Sequence, residues 1–263
     1  MSVLEAIILG IIQGLTEFLP VSSSGHLELA QALFGNQNNS EENLLFTIVV
    51  HGATALATLV VFRADIWSIL HGLFQFSNNE STQFSLRIVL SMIPAAIIGF
   101  FFEDTISSHF FGNTLLVGLM LWITAGLLYI ADQPKQNRAN VSLSNAWWIG
   151  MAQAFAILPG VSRSGATIAI SLLLGVAREK AARFSFLMVV PLIFGSMAKK
   201  ILDGGLEQEV LTLAPILAGF VAAFFSGYLA CRWMIALVKR SQLRYFAYYC
   251  AFVGTIALVT SLL

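Results

Sequence analysis

The chain alternates long apolar stretches with short polar segments, and the lengths of the apolar stretches predict membrane-spanning helices. About 20 consecutive apolar residues cross the hydrocarbon core of a bilayer as a helix. Such stretches of roughly 17 to 20 residues occur at 45–62, 86–102, 114–131, 184–198, 212–231 and 246–263. The pattern therefore predicts an all-α polytopic membrane protein with six transmembrane helices.

Two further apolar segments, 2–34 and 146–176, do not fit a simple span. Each is interrupted near its middle by Pro, Ser and Gly, in the runs FLPVSSSG around Pro20 and LPGVSRSG around Pro159. Irregular backbone at membrane depth is tolerated where it is buried in protein or lines a cavity. We expect both segments to be re-entrant helical hairpins.

The two broken segments are related by an internal repeat. Shifting the sequence by 140 residues aligns Gly10 with Gly150 and Gln13 with Gln153. Further matches cluster at the breaks, where Val21, Ser22, Ser24 and Gly25 align with Val161, Ser162, Ser164 and Gly165. Each half then holds one hairpin and three spans, and because three is odd the halves are inverted. We predict one membrane domain, 1–263, with inverted repeats at 1–135 and 141–263.

Composition and charge support a membrane location and orient the chain. Only 11% of residues are charged and the mean hydropathy is +0.81. Eleven basic residues fall on one side of this topology, against Lys199 and Lys200 on the other. The eleven are Arg63, Arg87, Lys135, Arg138, Arg178, Lys180, Arg183, Arg232, Lys239, Arg240 and Arg244. Positive loops remain cytoplasmic, so both termini and the entry to the first hairpin are expected on the outer face.

Several functions are disfavoured by the same composition. Net charge is zero and no basic run occurs, so no nucleic-acid partner is expected. No Lys or Arg precedes Arg63, so the first segment lacks the positive region of a signal peptide and is expected to be retained. Cys231 and Cys250 have neither metal nor redox spacing. His51, His71 and His109 stand alone and are expected to be structural.

The first hairpin, QGLTEFLPVSSSGH, concentrates polar chemistry between Gln13 and His26. Helical spacing places Gln13 and Glu17 on one face, where their oxygens could hold Mg²⁺ or Ca²⁺ together with phosphate oxygens. A hydrogen-bonded structural role for Glu17 is the alternative. Beyond Pro20, a serine can cap a new helix whose free N–H groups attract anions, with Ser22 and Ser24 as candidate phosphate ligands.

The second hairpin, LPGVSRSGAT, contributes Arg163 at its tip. A guanidinium matches phosphate oxygens, and the hydroxyls of Ser162, Ser164 and Thr167 add donors, so the group is a candidate phosphate site. No acidic residue is near Arg163 in sequence before Glu179. A purely structural ion pair between Arg163 and Glu17 is the alternative.

Both segments resemble the undecaprenyl-diphosphate phosphatase family, also called bacitracin resistance protein, whose motifs are (E/Q)GxTEFLPVSS(S/T)GH and PGxSRSGxT. The resemblance covers nearly the whole chain, including the segment 181–191. It implies hydrolysis of a C55 polyprenyl diphosphate to the monophosphate and inorganic phosphate, with a divalent metal, in recycling the carrier lipid at the outer leaflet of the bacterial inner membrane.

The resemblance also implies roles for individual residues. The family's acidic pair falls on Gln13 and Glu17 as metal ligands, its candidate nucleophile on Ser23, its histidine on His26 and its phosphate-binding arginine on Arg163. Many members have Glu in place of Gln13, so here Glu17 is expected to supply the charge and Gln13 only a carbonyl oxygen.

Alternatives remain open at this stage. In one mechanism Ser23 attacks phosphorus while His26 or Glu17 takes its proton, and in the other a water activated by metal or His26 attacks directly. Inverted repeats with half-helices are also a transporter architecture, so a carrier or flippase for an anionic lipid is the second candidate function. A structural membrane subunit is the third. A homodimer is compatible with the sequence.

Overall fold

The computed structural model describes residues 1–34, 40–110, 112–133, 138–202, 213–240 and 242–262. Lys135, included in the basic-residue count above, lies outside these residues. The described part of the chain folds into helices, apart from an isolated bridge between Ala139 and Val176. The helices are α1 (Val3–Phe18), α2 (Ser23–Leu33), α3 (Ser40–Val61), α4 (Arg63–Leu73), α5 (Glu80–Phe110), α6 (Thr114–Ala131), α7 (Leu143–Phe155), α8 (Arg163–Leu173), α9 (Arg178–Leu202), α10 (Leu213–Lys239) and α11 (Leu243–Leu262).

Five to six of these helices are able to span a membrane, as is typical of a multi-pass membrane protein. The five are Glu80–Phe102, Thr114–Ala131, Arg178–Lys199, Leu213–Lys239 and Leu243–Ser261. The sixth candidate is the pair Leu45–Val61 and Arg63–Leu73, whose first member coincides with the predicted span at 45–62 and whose helices meet at a bend of 77°. The predicted all-helical class is confirmed, and the predicted apolar stretches form five to six helices that are able to span a membrane. The bend after Val61 is not evident in the hydropathy.

Each segment that the sequence marked as broken forms a pair of short helices. In the first, α1 ends at Phe18 and α2 begins at Ser23; in the second, α8 begins at Arg163 after a longer turn. Both restarts are capped by serine hydroxyls, because Ser22 accepts from the Gly25 N–H (3.3 Å) and Ser162 from the Gly165 N–H (3.1 Å). Helices α2 and α8 thus begin 140 residues apart, at the offset of the sequence repeat.

The turns of the two hairpins meet each other in the interior. A β-carbon placed on Gly25 would lie 3.2 Å from the Cα of Gly160, and one on Gly165 would lie 3.3 Å from the Cβ of Pro20. Gly160 has a φ of +92°, a conformation that favours glycine. The hydroxyl of Thr124, within α6, donates to the Gly160 carbonyl at 3.2 Å. The hairpin tips therefore lie beside the middle of α6.

The ends of the second hairpin also lie side by side. Just before α7, Ala139 donates its N–H to the Gly175 carbonyl (3.2 Å) and accepts from the Ala177 N–H (3.0 Å) just after α8. The chain therefore leaves this hairpin close to where it entered.

The first helix of each hairpin packs closely on a long helix from the other half of the chain. A β-carbon on Gly10 of α1 would lie 2.4 Å from the carbonyl oxygen of Gly219 in α10. Likewise, one on Gly150 of α7 would lie 2.5 Å from the carbonyl oxygen of Ser91 in α5. Only glycine permits such an approach between helix backbones.

Helices α6 and α11 pack antiparallel. Near the start of α6, a β-carbon on Gly254 would lie 2.9 Å from the Gly118 carbonyl oxygen. At the other end, the Arg244 N–H donates to Asp132 just beyond α6 (3.1 Å). Since the contacts advance along α6 while they retreat along α11, the two helices run in opposite directions.

Ion pairs join several helix ends at one end of the bundle. The pairs are Asp132 with Arg178 (3.6 Å), Glu179 with Lys239 (2.8 Å) and Asp65 with Arg183 (2.7 Å). They bring the end of α6, the start of α9, the end of α10 and the start of α4 together. Most of the basic residues that the sequence assigned to one side are thereby close to this end of the molecule.

Candidate active site

Glu17 is the centre of the polar cluster where the hairpins meet. Its side chain lies near the end of α1 and is only 6% exposed. One carboxylate oxygen, Oε1, pairs with the guanidinium of Arg163. The other, Oε2, accepts from Ser23 Oγ at 2.7 Å and from Gln13 Nε2 at 3.0 Å. A buried carboxylate is tolerated when it is paired and hydrogen-bonded, and Glu17 is both.

Gln13 lies one turn before Glu17 on the same face of α1, as the spacing predicted. Its amide nitrogen donates to Glu17, whereas its Oε1 is buried without a hydrogen-bond partner in the described part of the chain. The repeat-related Gln153 has neither amide atom paired among the described residues. A buried unpaired acceptor costs about 1–3 kcal/mol, so Gln13 Oε1 is a candidate ligand atom.

Ser23 is held against Glu17 by the turn that precedes α2. Ser22 adopts a φ of +72°, which is sparsely populated by residues other than glycine, and its hydroxyl caps α2. The Ser24 hydroxyl lies 3.4 Å from that of Ser22. Of the three serines, Ser23 is therefore the one that contacts the carboxylate.

Arg163 occupies in α8 the position that Ser23 occupies in α2, since both are the first residues of their helices. The ion pair with Glu17, considered above as a structural alternative, is present. The Arg163 side chain nevertheless remains 23% exposed. A guanidinium carries several N–H donors in a planar fork, so Arg163 can bind Glu17 and a phosphate oxygen together.

The other hydroxyls of the second hairpin lie inside its scaffold. Ser162 caps α8, and Ser164 donates to the Leu19 carbonyl at 3.3 Å. The hydroxyl of Thr167 lies 2.8 Å from the Arg163 carbonyl and 2.6 Å from the hydroxyl of Ser185. These contacts hold the two hairpins in place, and the phosphate-binding role of Ser162, Ser164 and Thr167 stays a prediction.

The hydrogen-bond partners of the His26 ring are Ser22 and Tyr249 rather than the Glu17 carboxylate. Its Nδ1 lies 2.8 Å from the Ser22 carbonyl oxygen, and its Nε2 lies 2.9 Å from the hydroxyl of Tyr249. The hydrogen-bond partner of Ser23 is thus Glu17 rather than His26. Of the two proton acceptors considered for the serine, the geometry favours the carboxylate.

Two residues near the site were not expected from the sequence. His51, assigned a structural role above, places its Nε2 3.9 Å from Glu17 Oε2, and its Nδ1 lies 2.8 Å from the Thr47 carbonyl oxygen. Tyr249 reaches His26 from α11, far along the chain. An ionisable side chain within an apolar span, such as His51, is itself a signal of function, whereas nothing in the sequence around Tyr249 distinguishes it from its neighbours.

The residues present fit a divalent metal only if substrate completes its coordination. Among the described residues no group of three His, Cys, Asp or Glu side chains converges as a metal site. Gln13 Oε1 is an unpaired oxygen ligand, whereas a metal would have to share the Glu17 carboxylate with Ser23, Gln13 and Arg163. Mg²⁺ is often held by one or two protein ligands together with substrate phosphate oxygens and water, and this set corresponds to that arrangement.

Comparison with known proteins identifies close relatives. The family model described as "Bacitracin resistance protein BacA" matches residues 6–256. A protein of Christiangramia forsetii named undecaprenyl-diphosphatase is 57% identical over 259 residues, covering 98% of both chains. A Bacteroides fragilis protein of the same name is 50% identical over 98% of this chain and 97% of its own length. A Methanobrevibacter smithii protein, also so named, is 38% identical over 100% of this chain and 99% of its own.

Proposed function

Since the chain belongs to the bacitracin resistance protein family, we propose that it is an undecaprenyl-diphosphate phosphatase, releasing inorganic phosphate and leaving the monophosphate carrier lipid. The observation that carries the proposal is the contact of one buried carboxylate, Glu17, with both a serine hydroxyl and an arginine. A nucleophile, a proton acceptor and a phosphate-binding cation are thereby adjacent inside an apolar bundle.

In the first step, Ser23 Oγ attacks the terminal phosphorus and its proton passes to Glu17 Oε2. The new bond is Ser23 Oγ to phosphorus, and the bond that breaks joins phosphorus to the bridging oxygen, whose electron pair stays with the lipid monophosphate. Protonation of Glu17 weakens its ion pair with Arg163. The guanidinium can then stabilise the charge spread over the phosphoryl oxygens.

In the second step, the Tyr249 hydroxyl, 2.9 Å from Nε2 of His26, releases that nitrogen. Water then attacks the phosphoserine and gives its proton to Nε2. The bond between Ser23 Oγ and phosphorus breaks, and the serine recovers the proton held by Glu17. Inorganic phosphate leaves, and His26 returns its proton to solvent. Direct attack by a water activated at His26, without a phosphoserine, is the rival course and is separated from the first by the serine variants below.

We propose Glu17 and Gln13 Oε1 as the protein ligands of a divalent metal, Mg²⁺ or Ca²⁺. When bound, it would neutralise charge on the diphosphate. The protein's own contribution is to hold Gln13 on the face of α1 that carries Glu17, with its carbonyl oxygen free of other partners.

The diphosphate would reach the hairpin tips while its polyprenyl chain lies among the apolar helices or in the bilayer.

We propose that both hairpins are re-entrant and enter from opposite sides. The side-by-side ends of the second hairpin support this. Helix α1 runs parallel to α10, with Phe18 beside Gly227. Since Lys239 lies 12 residues further along α10, α1 stops about 18 Å short of the basic end.

We also propose that the two halves are inverted repeats. In that arrangement α6 of the first half corresponds to α11 of the second, and equivalent helices must run in opposite directions. Their antiparallel packing supports the proposal. The reciprocal contacts of Gly25 with Gly160 and of Gly165 with Pro20 are those expected of two related hairpins about a local two-fold axis.

The proposed location is the bacterial inner membrane, with the termini and the first hairpin's entry on the outer face. The clustering of basic residues at the opposite end supports this orientation. There the enzyme would recycle the carrier lipid for cell-wall synthesis, and its activity would lower sensitivity to bacitracin.

The paired hairpins also suit a carrier of anionic lipids, so the test must separate the two functions. Purified protein in detergent, supplied with undecaprenyl diphosphate and Mg²⁺ or Ca²⁺, should release inorganic phosphate with turnover. Chelation should abolish the release, and metal should restore it. Binding of the lipid without phosphate release under these conditions would reject the phosphatase and favour the carrier.

A further inference from the structure

Tyr249 forms a contact between the two halves of the chain, at the nitrogen that the proposed mechanism protonates. Its hydroxyl lies 2.9 Å from Nε2 of His26. The two rings are nearly parallel, with an angle of 12° and centroids 5.6 Å apart. Tyr249 belongs to α11, whereas His26 belongs to α2. The Tyr249 side chain therefore both hydrogen-bonds to Nε2 of His26 and orients the plane of its imidazole.

The other imidazole nitrogen determines which tautomer this contact requires. Nδ1 of His26 lies 2.8 Å from the Ser22 carbonyl oxygen. A carbonyl oxygen only accepts hydrogen bonds, so Nδ1 must carry the hydrogen. In the neutral ring Nε2 is then an acceptor, and the Tyr249 hydroxyl donates to it. Ser22 therefore keeps Nδ1 as the donor, and Tyr249 keeps Nε2 as the acceptor.

We propose that Tyr249 is a positioning residue that fixes the plane and the tautomer of His26. Nε2 is thereby kept without a hydrogen, and it takes a proton during turnover when the Tyr249 hydroxyl releases it. The link to turnover rests on the proposed function. The pairing itself rests on the two hydrogen bonds and on the stacked rings. Ser22 supports it from the other side, because the same turn that presents Ser23 also orients His26 through the Ser22 carbonyl.

The neighbouring Tyr248 provides a matched control. It lies on the same helix, but its ring packs beside Tyr129 of α6, with centroids 6.3 Å apart. Tyr249→Phe removes the hydroxyl and keeps the stacked ring, whereas Tyr248→Phe makes the same chemical change where no contact with His26 is present. Tyr249→Leu removes both the hydroxyl and the ring.

The decisive measurement is the ¹⁵N spectrum of histidine-labelled full-length protein in detergent, with the His26 signals identified by their loss in His26→Asn. Tyr249→Phe should shift the Nε2 resonance of His26 and leave those of His51, His71 and His109 in place. It should also lower kcat for phosphate release about tenfold with little change in KM, as expected for one lost hydrogen bond. Tyr249→Leu should lower kcat further, and Tyr248→Phe should do neither.

The outcomes separate this inference from the proposed function. An unchanged His26 resonance in Tyr249→Phe overturns the inference, as does an equal shift in Tyr248→Phe. A shifted resonance in a protein that releases no phosphate even before mutation supports the pairing and overturns the phosphatase. A shifted resonance with an unchanged kcat overturns the link between this pairing and turnover.

Discussion

Ser23 and Arg163, 140 positions apart in the chain, are the first residues of α2 and α8 and contact the same carboxylate, that of Glu17. In the aligned repeat they are the same position. A hydroxyl at that position can act as a nucleophile, and a guanidinium can bind the phosphate it attacks. Two helix N-termini also meet there, and their positive ends favour an anion.

The first prediction concerns the carboxylate of Glu17. Glu17→Gln keeps the shape of the side chain but removes the charge that pairs with Arg163 and accepts from Ser23. We expect phosphate release to fall about 10³-fold, in the upper range for loss of one electrostatic group in an active site. Initial rates for purified variants of equal secondary structure would measure the effect.

Gln13→Ala and Gln153→Ala form the matched comparison for Glu17→Gln. Gln13 contributes one neutral ligand atom, so its loss should lower activity about tenfold and raise the metal concentration required for half-maximal activity. Gln153→Ala makes the same change in the other repeat and should leave the metal requirement unchanged. Equal losses from Glu17→Gln and Gln13→Ala would contradict the assignment of the charge to Glu17.

The second prediction tests whether Ser23, rather than the neighbouring Ser24, is the nucleophile. Ser23→Ala removes the hydroxyl that donates to Glu17 and should reduce phosphate release about 10³-fold or more. Ser24→Ala removes a hydroxyl in contact only with Ser22 among the described residues, and it should retain activity within about tenfold. Rapid acid quenching with labelled substrate should trap phosphate on Ser23. A fully active Ser23→Ala would establish direct attack by water instead.

The third prediction tests whether Arg163 does more than neutralise Glu17. Arg163→Lys preserves a positive charge for the ion pair but loses the planar fork that suits phosphate oxygens. We expect a fall of about 10²-fold in kcat/KM with the thermal midpoint nearly unchanged. Wild-type activity in Arg163→Lys would mean that the arginine serves only as the counter-charge of Glu17.

Much of this arrangement follows from local sequence rules. Gln13 and Glu17 share a helix face because they are four residues apart. Ser22 and Ser162 cap helices because the hydroxyl of a serine directly before a helix can accept from the backbone N–H three residues on. The sequence repeat then aligns Arg163 with Ser23. Such features depend on neighbouring residues or on an alignment, so they can be predicted before any coordinates are known.

Contacts made by distant side chains could not be predicted in the same way. His51 reaches Glu17 from α3, and Tyr249 reaches His26 from α11, across 223 positions in the sequence. Both depend on how whole helices pack, which hydropathy does not specify. The bend of 77° at the end of the predicted span 45–62 could not be predicted for a related reason. Apolar composition gives the length of a span but not its direction.

The fourth prediction concerns the close helix crossings that hold the hairpins. Gly10→Ala places a methyl group against the Gly219 carbonyl oxygen of α10 and should destabilise the protein by about 1–3 kcal/mol. Gly126→Ala, in α6, meets no atom within 4 Å and should be neutral or slightly stabilising. Thermal unfolding in detergent would compare them. An unchanged midpoint for Gly10→Ala would contradict this close packing.

The last prediction tests the orientation with single cysteines in a chain whose buried Cys231 and Cys250 have been replaced. Ser2→Cys lies before α1, and Arg240→Cys lies after α10 at the basic end. A membrane-impermeant maleimide should label Ser2→Cys in right-side-out vesicles and Arg240→Cys only in inverted ones, because positively charged loops stay on the cytoplasmic side. Ser144→Cys, at the entry to α7, should behave like Arg240→Cys if the second hairpin enters from the inside. Labelling of Ser2→Cys only in inverted vesicles would mean that the first hairpin enters from the cytoplasmic face, and the site would then have to take its substrate from the other leaflet.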